Sequence, residues 1–318
     1  MLERLTATAR SHEMFLPGQI VLVAVSGGPD SVCLVESLVR LRRLFRYRLE
    51  VVHLDHALRP ESAVDAGYVK RLAARLGLPF HLRRAASGPA KGESVEAWAR
   101  AQRLAALAEV ARDTGAARIA LGHTVDDQAE TVLLHLVTGS GLRGLGGIAP
   151  VAGPYVNPII DVRRHQVEAF CRALGLRPRL DASNLDPRFL RNAIRLKGLP
   201  ALERAAGRSL TEPLARTAAT VREDADELTR QAQAVIDDVV TDSPEGIDIH
   251  AVRLLDLPRA IGARVVSQAV YAGGATCTRA DIDAVYDLAE GRPGRRRDLS
   301  DGLNARRGRE YVHLRSGR

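Results

Sequence analysis

Residues 20–31, IVLVAVSGGPDS, admit few architectures. The first half is an unbroken apolar run, mostly β-branched, of a length that suits a strand buried on both faces. The second half packs two glycines, a proline and an aspartate into a turn, after which apolar residues recur at helical spacing at Leu34, Val35, Leu38 and Leu41. Strand, tight loop and helix in that order make an anion site. Adjacent glycines let the backbone approach a ligand, and a helix start aims unpaired N–H groups and the positive dipole end at the same point. The loop lacks the lysine of GxxxxGK[ST] and the spacing of GxGxxG. Ser26 and Ser31 add hydroxyl donors, and Asp30 makes sense as a carboxylate holding Mg²⁺ against bound phosphates; an ordinary strand-to-helix turn capped by Ser31 is the plainer alternative.

The alternation continues downstream. Residues 1–16 read as an amphipathic helix stopped by Pro17-Gly18, residues 49–54 as a second buried strand, 61–76 as a helix, 80–82 as a short strand, 94–114 as a helix, 118–123 as a strand and 126–138 as a helix closed by Gly139. Such a series predicts an α/β fold with a doubly wound parallel sheet covered on both faces, whose ligands bind beyond the carboxyl ends of the strands. Past Gly175 the character changes, residues 207–213 look like a linker, and a long helix at 211–241 is followed by helices starting near Pro258 and Thr278. The tail reads as strands joined by turns at Asp301-Gly302 and Gly308. These features predict a nucleotide-binding domain at residues 1–207 and a smaller, mainly helical domain at 208–318.

Composition excludes some classes. The chain has no apolar run of the roughly 18 residues that a spanning helix needs and no signal peptide at its start, which predicts a cytoplasmic protein without a membrane partner. Cys33, Cys171 and Cys277 form no CxxC pair, so buried free thiols are expected. A net charge of +8 favours a polyanionic partner, although the arginine bias, with Lys70, Lys91 and Lys197 the only lysines, also fits GC-rich coding.

Polar clusters follow the strand ends. In HLDHALRPES, residues 53–62, His53 and Asp55 share one strand face and His56 takes the other. Joint ligation of a transition metal is then awkward, and lining a base or ribose pocket or plain structural hydrogen bonding are the alternatives. GHTVDDQAET, residues 122–131, is sharper: Asp126 and Asp127 lie four and three residues before Glu130, gathering carboxylates at a helix start. Acidic first turns complement the helix dipole, but so many carboxylates beside a phosphate site repel unless a metal or an amine neutralises them.

Glu96, Arg100 and Arg103 share one helix face, either as a surface ion pair or with Arg100 bracing a phosphoryl transition state. Residues 139–148, GSGLRGLGGI, set five glycines around Arg143, a loop suited to closing over a substrate or simply to flexibility. Arg191 and Arg195 fall four apart on a helix, and Arg295, Arg296, Arg297, Arg306, Arg307 and Arg309 cluster in the tail. Each group is either a solvated basic face or a second polyanion surface.

Taken together, SGGPDS, HLDHALRPES, ARAQR, GHTVDDQAET, GSGLRGLGGI and DASNLDPRFLRNAIR resemble the motifs of the tRNA(Ile)-lysidine synthetases, which belong to the N-type, or PP-loop, ATP pyrophosphatases. SGGPDS alone indicates the superfamily; DDQAET with the glycine loop narrows it. The likeness is strong over residues 15–200 and thinner to 318. It implies a Rossmann-like PP-loop fold and an ATP-dependent ligase that converts cytidine 34 of the CAU anticodon to lysidine. Cytosine O2 would attack the α-phosphate of ATP, and the ε-amine of free L-lysine would then displace AMP at C2.

By the same resemblance, Ser26, Gly27, Gly28, Asp30, Ser31, His56, Gly122 and His123 line the ATP site, and Asp30 holds Mg²⁺. Asp127 and Glu130 hold the ammonium of lysine or the metal, and Arg100 steadies the reacting phosphate, completing a catalytic set with Asp30. Arg191 and Arg195 match the family's RNxxR and, with Arg143, are expected on tRNA or the phosphates. The partners implied are tRNA(Ile) and lysine, with a homodimer as the candidate assembly and a helical C-terminal tRNA-binding domain in the short form of the family. Leu104 stands where an aromatic usually follows the arginine. A tRNA thiolase is the nearest alternative and would need reactive cysteines. A GMP- or NAD-synthetase-like amidation would need a glutaminase portion, and a non-catalytic ATP-sensing RNA-binding protein would not need the carboxylate cluster.

Overall fold

The structure, a computed structural model, describes residues 1–56, 62–85, 88–90, 92, 94–179 and 186–316. It forms two compact units, Met1–Arg222 and Glu223–Arg318.

In the first unit α1 (Leu2–Ser11) leads to β1 (Ile20–Ala24), α2 (Pro29–Phe45), β2 (Arg48–Asp55), α3 (Ser62–Leu76), β3 (Phe80–Arg84), α4 (Val95–Thr114) and β4 (Arg118–Ala120). Then come α5 (Val125–Val137), α6 (Leu142–Leu145), the short strands β5 (Val151–Ala152) and β6 (Tyr155–Val156), α7 (Arg164–Ala173), α8 (Leu190–Ala193), a π-helical turn (Ile194–Gly198) and α9 (Leu199–Ala206). α1 stops short of the expected residue 16, because Glu13 turns left-handed at φ 46° and lets Met14 donate back to the Ala9 carbonyl and bury its side chain.

Among the described residues the strands form a six-stranded sheet in the order β3-β2-β1-β4-β6-β5. All its pairs are parallel except β5 with β6. β1 is apolar throughout because it is buried on both faces. Val21 and Val23 pack with α1, α2 and α7 side chains such as Leu5, Leu34 and Val167, whereas Leu22 faces Leu107 and Val110 of α4. Burying Leu22 in this way contributes about 2 kcal/mol. The chain runs outward from β1 to β3 and then returns to place β4 on the other side of β1. That reversal opens a crevice beyond the carboxyl ends of β1 and β4, where the loop at residues 26–31 and the Gly122-His123 pair lie.

The boundary between the units lies within α10 (Thr211–Val239), later than the expected residue 207. Gly207 is instead the left-handed cap of α9, at φ 64°. In the second unit β7 (Val240–Ser243) and β8 (Gly246–His250) precede the helices α11 (Ala251–Asp256), α12 (Arg259–Ala272) and α13 (Arg279–Glu290). The strands expected in the tail follow as β9 (Arg296–Asp298), β10 (Leu303–Arg307) and β11 (Tyr311–Ser316). Among the described residues they make a five-stranded antiparallel sheet, β7-β8-β11-β10-β9, whose inner face packs on α12 and α13 through Ile249, Leu314, Val266 and Leu288. β7 and β8 are new relative to the sequence reading, although Ile247 and Ile249 carry the period of two that marks a half-buried strand. No helix among the described residues is long and apolar enough to cross a membrane.

Gly122 fixes the crevice. A Cβ on it would sit 3.2 Å from the Asp30 carbonyl carbon and 3.3 Å from the Ser31 nitrogen, both rigid backbone atoms. The exit of β4 therefore rests directly on the first turn of α2. Gly122→Val is expected to cost about 1–3 kcal/mol, as overpacking against backbone does, and to lower the denaturant midpoint in equilibrium unfolding.

Candidate active site

The loop between β1 and α2 is preshaped. Gly27 adopts φ +97°, a conformation that favours glycine, and its N–H donates to Ser31 Oγ at 3.2 Å while Ser31 Oγ donates to the Gly28 carbonyl at 3.0 Å. Ser26 Oγ lies 3.2 Å from Ser31 Oγ and accepts from the Gly28 N–H at 3.4 Å. Both hydroxyls thus brace the loop. Gly28 is the N-cap and Pro29 occupies the first turn, so the helical bonding begins with Val32 N–H to the Gly28 carbonyl at 3.0 Å. The N–H groups of Asp30 and Ser31 precede it, pointing out of the helix start where an anion binds.

Asp30 shares that turn. Its Oδ1 is buried without a hydrogen-bond partner among the described residues, and its carboxyl is pushed up to about 7 by burial and by the nearby charge of Asp127, against the pull of Arg164 and Arg195. A buried carboxyl oxygen with no protein donor can be satisfied by a proton or by a cation.

The carboxylates of α5 are the reverse case. Thr124 and Asp127 form a capping box, with Asp127 Oδ2 accepting from Thr124 N and Oγ1, both at 2.8 Å. Asp127 Oδ1 faces the other way and accepts from Arg164 Nη2 at 3.2 Å and Arg191 Nη2 at 3.3 Å. Glu130, one turn on, accepts from Arg164 Nη1 at 3.1 Å and Arg191 Nε at 3.2 Å, with Arg195 Nε at 3.6 Å. Each of two guanidinium groups therefore spans both carboxylates. Burial would raise Asp127, but His123, Arg164, Arg191 and the Thr124 N–H hold it below the ordinary carboxylate range. Arg164, though buried, is raised by Asp127, Glu130 and Asp30. Asp126 points aside, accepting the Arg164 backbone N–H at 2.7 Å.

A third wall comes from β2, β4 and α4. His56 meets Trp98 at 5.8 Å between ring centroids, and its Nδ1 is buried without a partner among the described residues. Burial and then the Arg103 charge lower its pKa. Burial also lowers His123 to about 4, helped by Arg103, Arg191 and Arg100 and opposed by Asp127, so that imidazole is neutral at ordinary pH. Arg100 is exposed on α4 within electrostatic range of His123 and Arg103.

Several expectations resolve here. The structure brings Asp30, Asp127, Glu130, Gly122 and His123 together beyond the strand ends. Arg191 and Arg195, expected on tRNA or the phosphates or as a solvated basic face, both reach Glu130, and Arg195 lies in the π-helical turn rather than on a continuous α-helix with Arg191. His53 is structural, its Nδ1 2.8 Å from the Val25 carbonyl, and among the described residues no group of His, Cys, Asp and Glu side chains is placed to hold a metal on its own.

The glycine loop is pinned more than its composition suggests. Gln128 accepts from the Ile148 N–H at 2.6 Å and donates to its carbonyl at 3.2 Å, and a Cβ on Gly147 would meet Gln128 Oε1 at 2.5 Å. Arg143 is exposed on α6 within that loop. Residues 57–61 of HALRPE, residues 181–185 of DASNL and the Glu96 side chain lie outside the described residues.

Arg164 and Trp98 were not anticipated. Arg164 had left a trace, since α7 begins with arginine and has no acidic residue in its first turn, an arrangement that opposes the helix dipole unless carboxylates face it. Trp98 had left none beyond its place on the same helix as Arg100 and Arg103.

The family model described as the PP-loop domain matches residues 3–202. Among curated relatives, a tRNA(Ile)-lysidine synthase of Symbiobacterium thermophilum is 41% identical over 85% of this chain and 59% of its own length. Those of Solibacter usitatus and Thermobifida fusca are 38% and 39% identical, over 95% and 89% of this chain and 68% and 86% of theirs. The chain thus spans about three fifths of the first of these relatives. Among solved structures, the U34-tRNA thiolase NcsA from Methanococcus maripaludis with its [4Fe-4S] cluster aligns at a TM-score of 0.58 over 70% of this chain and 78% of its own, with 14% identity, a likeness of fold alone.

Asp30 can be probed without substrate. A carboxyl titrating near 7 in the folded chain and at 3.8 when unfolded keeps a proton on folding, so its stabilising contribution is full below pH 3.8 and falls as the pH rises to about 7. Asp30→Asn has no such loss. In nucleotide-free protein the variant is expected to melt above wild type at about pH 7.5 and to lose that margin by about pH 4, read by thermal unfolding at both pH values.

Proposed function

The chain belongs to the tRNA(Ile)-lysidine synthase family of PP-loop proteins, and from that premise we propose that it joins free L-lysine to C2 of cytidine 34 in the CAU anticodon of tRNA(Ile), in the cytoplasm and at the expense of ATP. The observation that carries the proposal is the convergence, at the mouths of β1 and β4, of a preshaped anion loop, a carboxyl oxygen without a partner among the described residues and a carboxylate pair held by guanidinium groups and a helix cap.

ATP supplies the electrophilic phosphorus that turns cytosine O2 into a leaving group through an adenylated cytidine. The first-turn N–H groups of α2 would hold its pyrophosphate end. Mg²⁺ fits Asp30, whose buried Oδ1 has no other partner, and would neutralise the phosphate charge there; among the described residues Asp30 would be joined by phosphate oxygens rather than by a protein ligand cage. Asp127, held ionised by its surroundings, suits cation binding better than proton abstraction. With Glu130 it would hold an ammonium group of lysine, in exchange for one of the guanidinium contacts. Arg100 and the neutral His123 would flank the reacting phosphate, Arg100 as charge and His123 as a hydrogen-bonding group. Arg191 and Arg195 would be shared between these carboxylates and the polyanionic substrates.

Cysteine placement supports this reading over a thiolase. Cys33 and Cys171 are buried in the core, where the Cys171 hydrogen bond and burial push the Cys33 thiol up, and Cys277 belongs to the other unit.

Incubating the protein with ATP, radiolabelled lysine and unmodified CAU-anticodon tRNA(Ile) should label the tRNA; no label where ATP is seen to bind sinks the assignment. Glu130→Gln should lower kcat/KM for lysine about 10- to 100-fold, the effect of losing a charge-assisted hydrogen bond, with ATP binding nearly unchanged. Asp127→Asn should also lose turnover in a protein that still folds, checked by the same assay beside a thermal melt.

A further inference from the structure

Three guanidinium groups face two carboxylates at the start of α5, and they are not held alike. Arg164 reaches Asp127 and Glu130 at 3.2 and 3.1 Å, and its backbone N–H is bonded to Asp126, so side chain and main chain are both fixed. Arg191 also spans the pair, at 3.3 and 3.2 Å. Among the described residues Arg195 pairs with Glu130 alone, its Nε 3.6 Å from Oε1 and beyond hydrogen-bond reach. Its side chain is 36% exposed, against 16% for Arg164.

The backbone beneath Arg195 is anchored, so moving its charge takes only a change of rotamer. Arg195 lies in the π-helical turn, fastened at Ile194 and Leu199, which are buried with Ala129 and Leu133 of α5. Single π-helical turns occur frequently at functional sites. The Arg195 charge also acts on Asp30, in the first turn of α2 beside the anion loop. One loosely held guanidinium is thus within electrostatic range of both the acid pair and the place where an anion binds.

A bound polyphosphate changes which partner that guanidinium prefers. Phosphate oxygens match its fork in bidentate geometry and carry several charges. Glu130 Oε1 offers one long contact, already shared with Arg164. With the anion loop empty, Arg195 competes with any incoming ammonium group for that oxygen; with the loop filled, the competition is removed.

We propose that Arg195 is a positioning residue that couples the two small substrates, occupying part of the lysine ammonium site in the nucleotide-free chain and leaving it for the phosphates of ATP, so that lysine binds more tightly once ATP is bound. The proposal rests on the reading above that Asp127 and Glu130 receive lysine, and adds to it an order of binding and the residue that imposes the order.

The test is calorimetric titration of L-lysine into the full chain without tRNA, so that no turnover occurs, in the presence and absence of ATP with Mg²⁺. In wild type ATP should lower the Kd for lysine about tenfold, and saturating lysine should lower the Kd for ATP by the same factor, as linkage requires. Arg195→Gln should bind lysine about tenfold more tightly than wild type when nucleotide is absent, and ATP should then add little. A misfolded variant does not imitate a gain in affinity. Arg195→Lys, which keeps the charge, should bind lysine as weakly as wild type without nucleotide. Suppose wild type labels tRNA with lysine. This proposal alone is then overturned if ATP leaves lysine affinity unchanged, if lysine binds only once tRNA is added, or if Arg195→Gln binds lysine no better than wild type without ATP. A full ATP effect retained in Arg195→Gln also overturns it, since the nucleotide charge would then act on lysine directly. If wild type incorporates no lysine, the functional reading falls and this proposal with it.

Discussion

Two guanidinium groups, each forked across the same two carboxylates, hold the helices of the candidate site together. Arg164 at the start of α7 and Arg191 on α8 both reach Asp127 and Glu130 of α5, so three helices distant in sequence are tied at one point. Magnitudes show why the arrangement persists. A cation at a helix N-terminus opposes the dipole by about 0.3–1 kcal/mol, whereas each charge-assisted hydrogen bond contributes about 1.5–3 kcal/mol. The carboxylates win, and Arg164 stays. Removing either acid would leave partly buried cations facing one another, which costs more than the pair contributes when intact.

Asp30 and Asp127 are the same residue type in one crevice with opposite fates. Asp127 has donors on both oxygens and is held ionised; Asp30 has a buried oxygen without a donor and is pushed up to about 7. Environments that drive two carboxyl groups apart are how one site assigns distinct tasks to identical chemistry. Here one carboxylate is already neutralised by the protein, and the other keeps an oxygen without a donor among the described residues. The glycine contact between Gly122 and the α2 backbone holds the two halves of this division in register.

Much of the first unit was legible because its signals are local. An apolar run followed by SGGPDS gives strand, loop and helix whatever lies around it, and β1 is uniformly apolar for the reason expected, burial on both faces. The clustering of Asp127 and Glu130 followed from helical spacing, and so did the question of what neutralises them, whereas Asp126 points aside. The answer was not local. Arg164, Arg191 and Arg195 are 34 to 65 positions from the carboxylates they contact, and spacing rules reach only one helical turn. The tail shows the same limit, since six arginines read as one basic cluster until the pleat of β10 turns Arg307 inward and Arg306 out.

The sequence by itself determined the elements from α1 to α5, the parallel sheet, the anion loop and the acidic helix start, because each depends on residues a few positions apart. Only the tertiary structure decided which cations meet which carboxylates, which aspartate remains without a donor, and which arginines face solvent. Those outcomes depend on the path of the chain through the sheet's strand reversal and on which groups that path removes from water, and neither is written in any short stretch of residues.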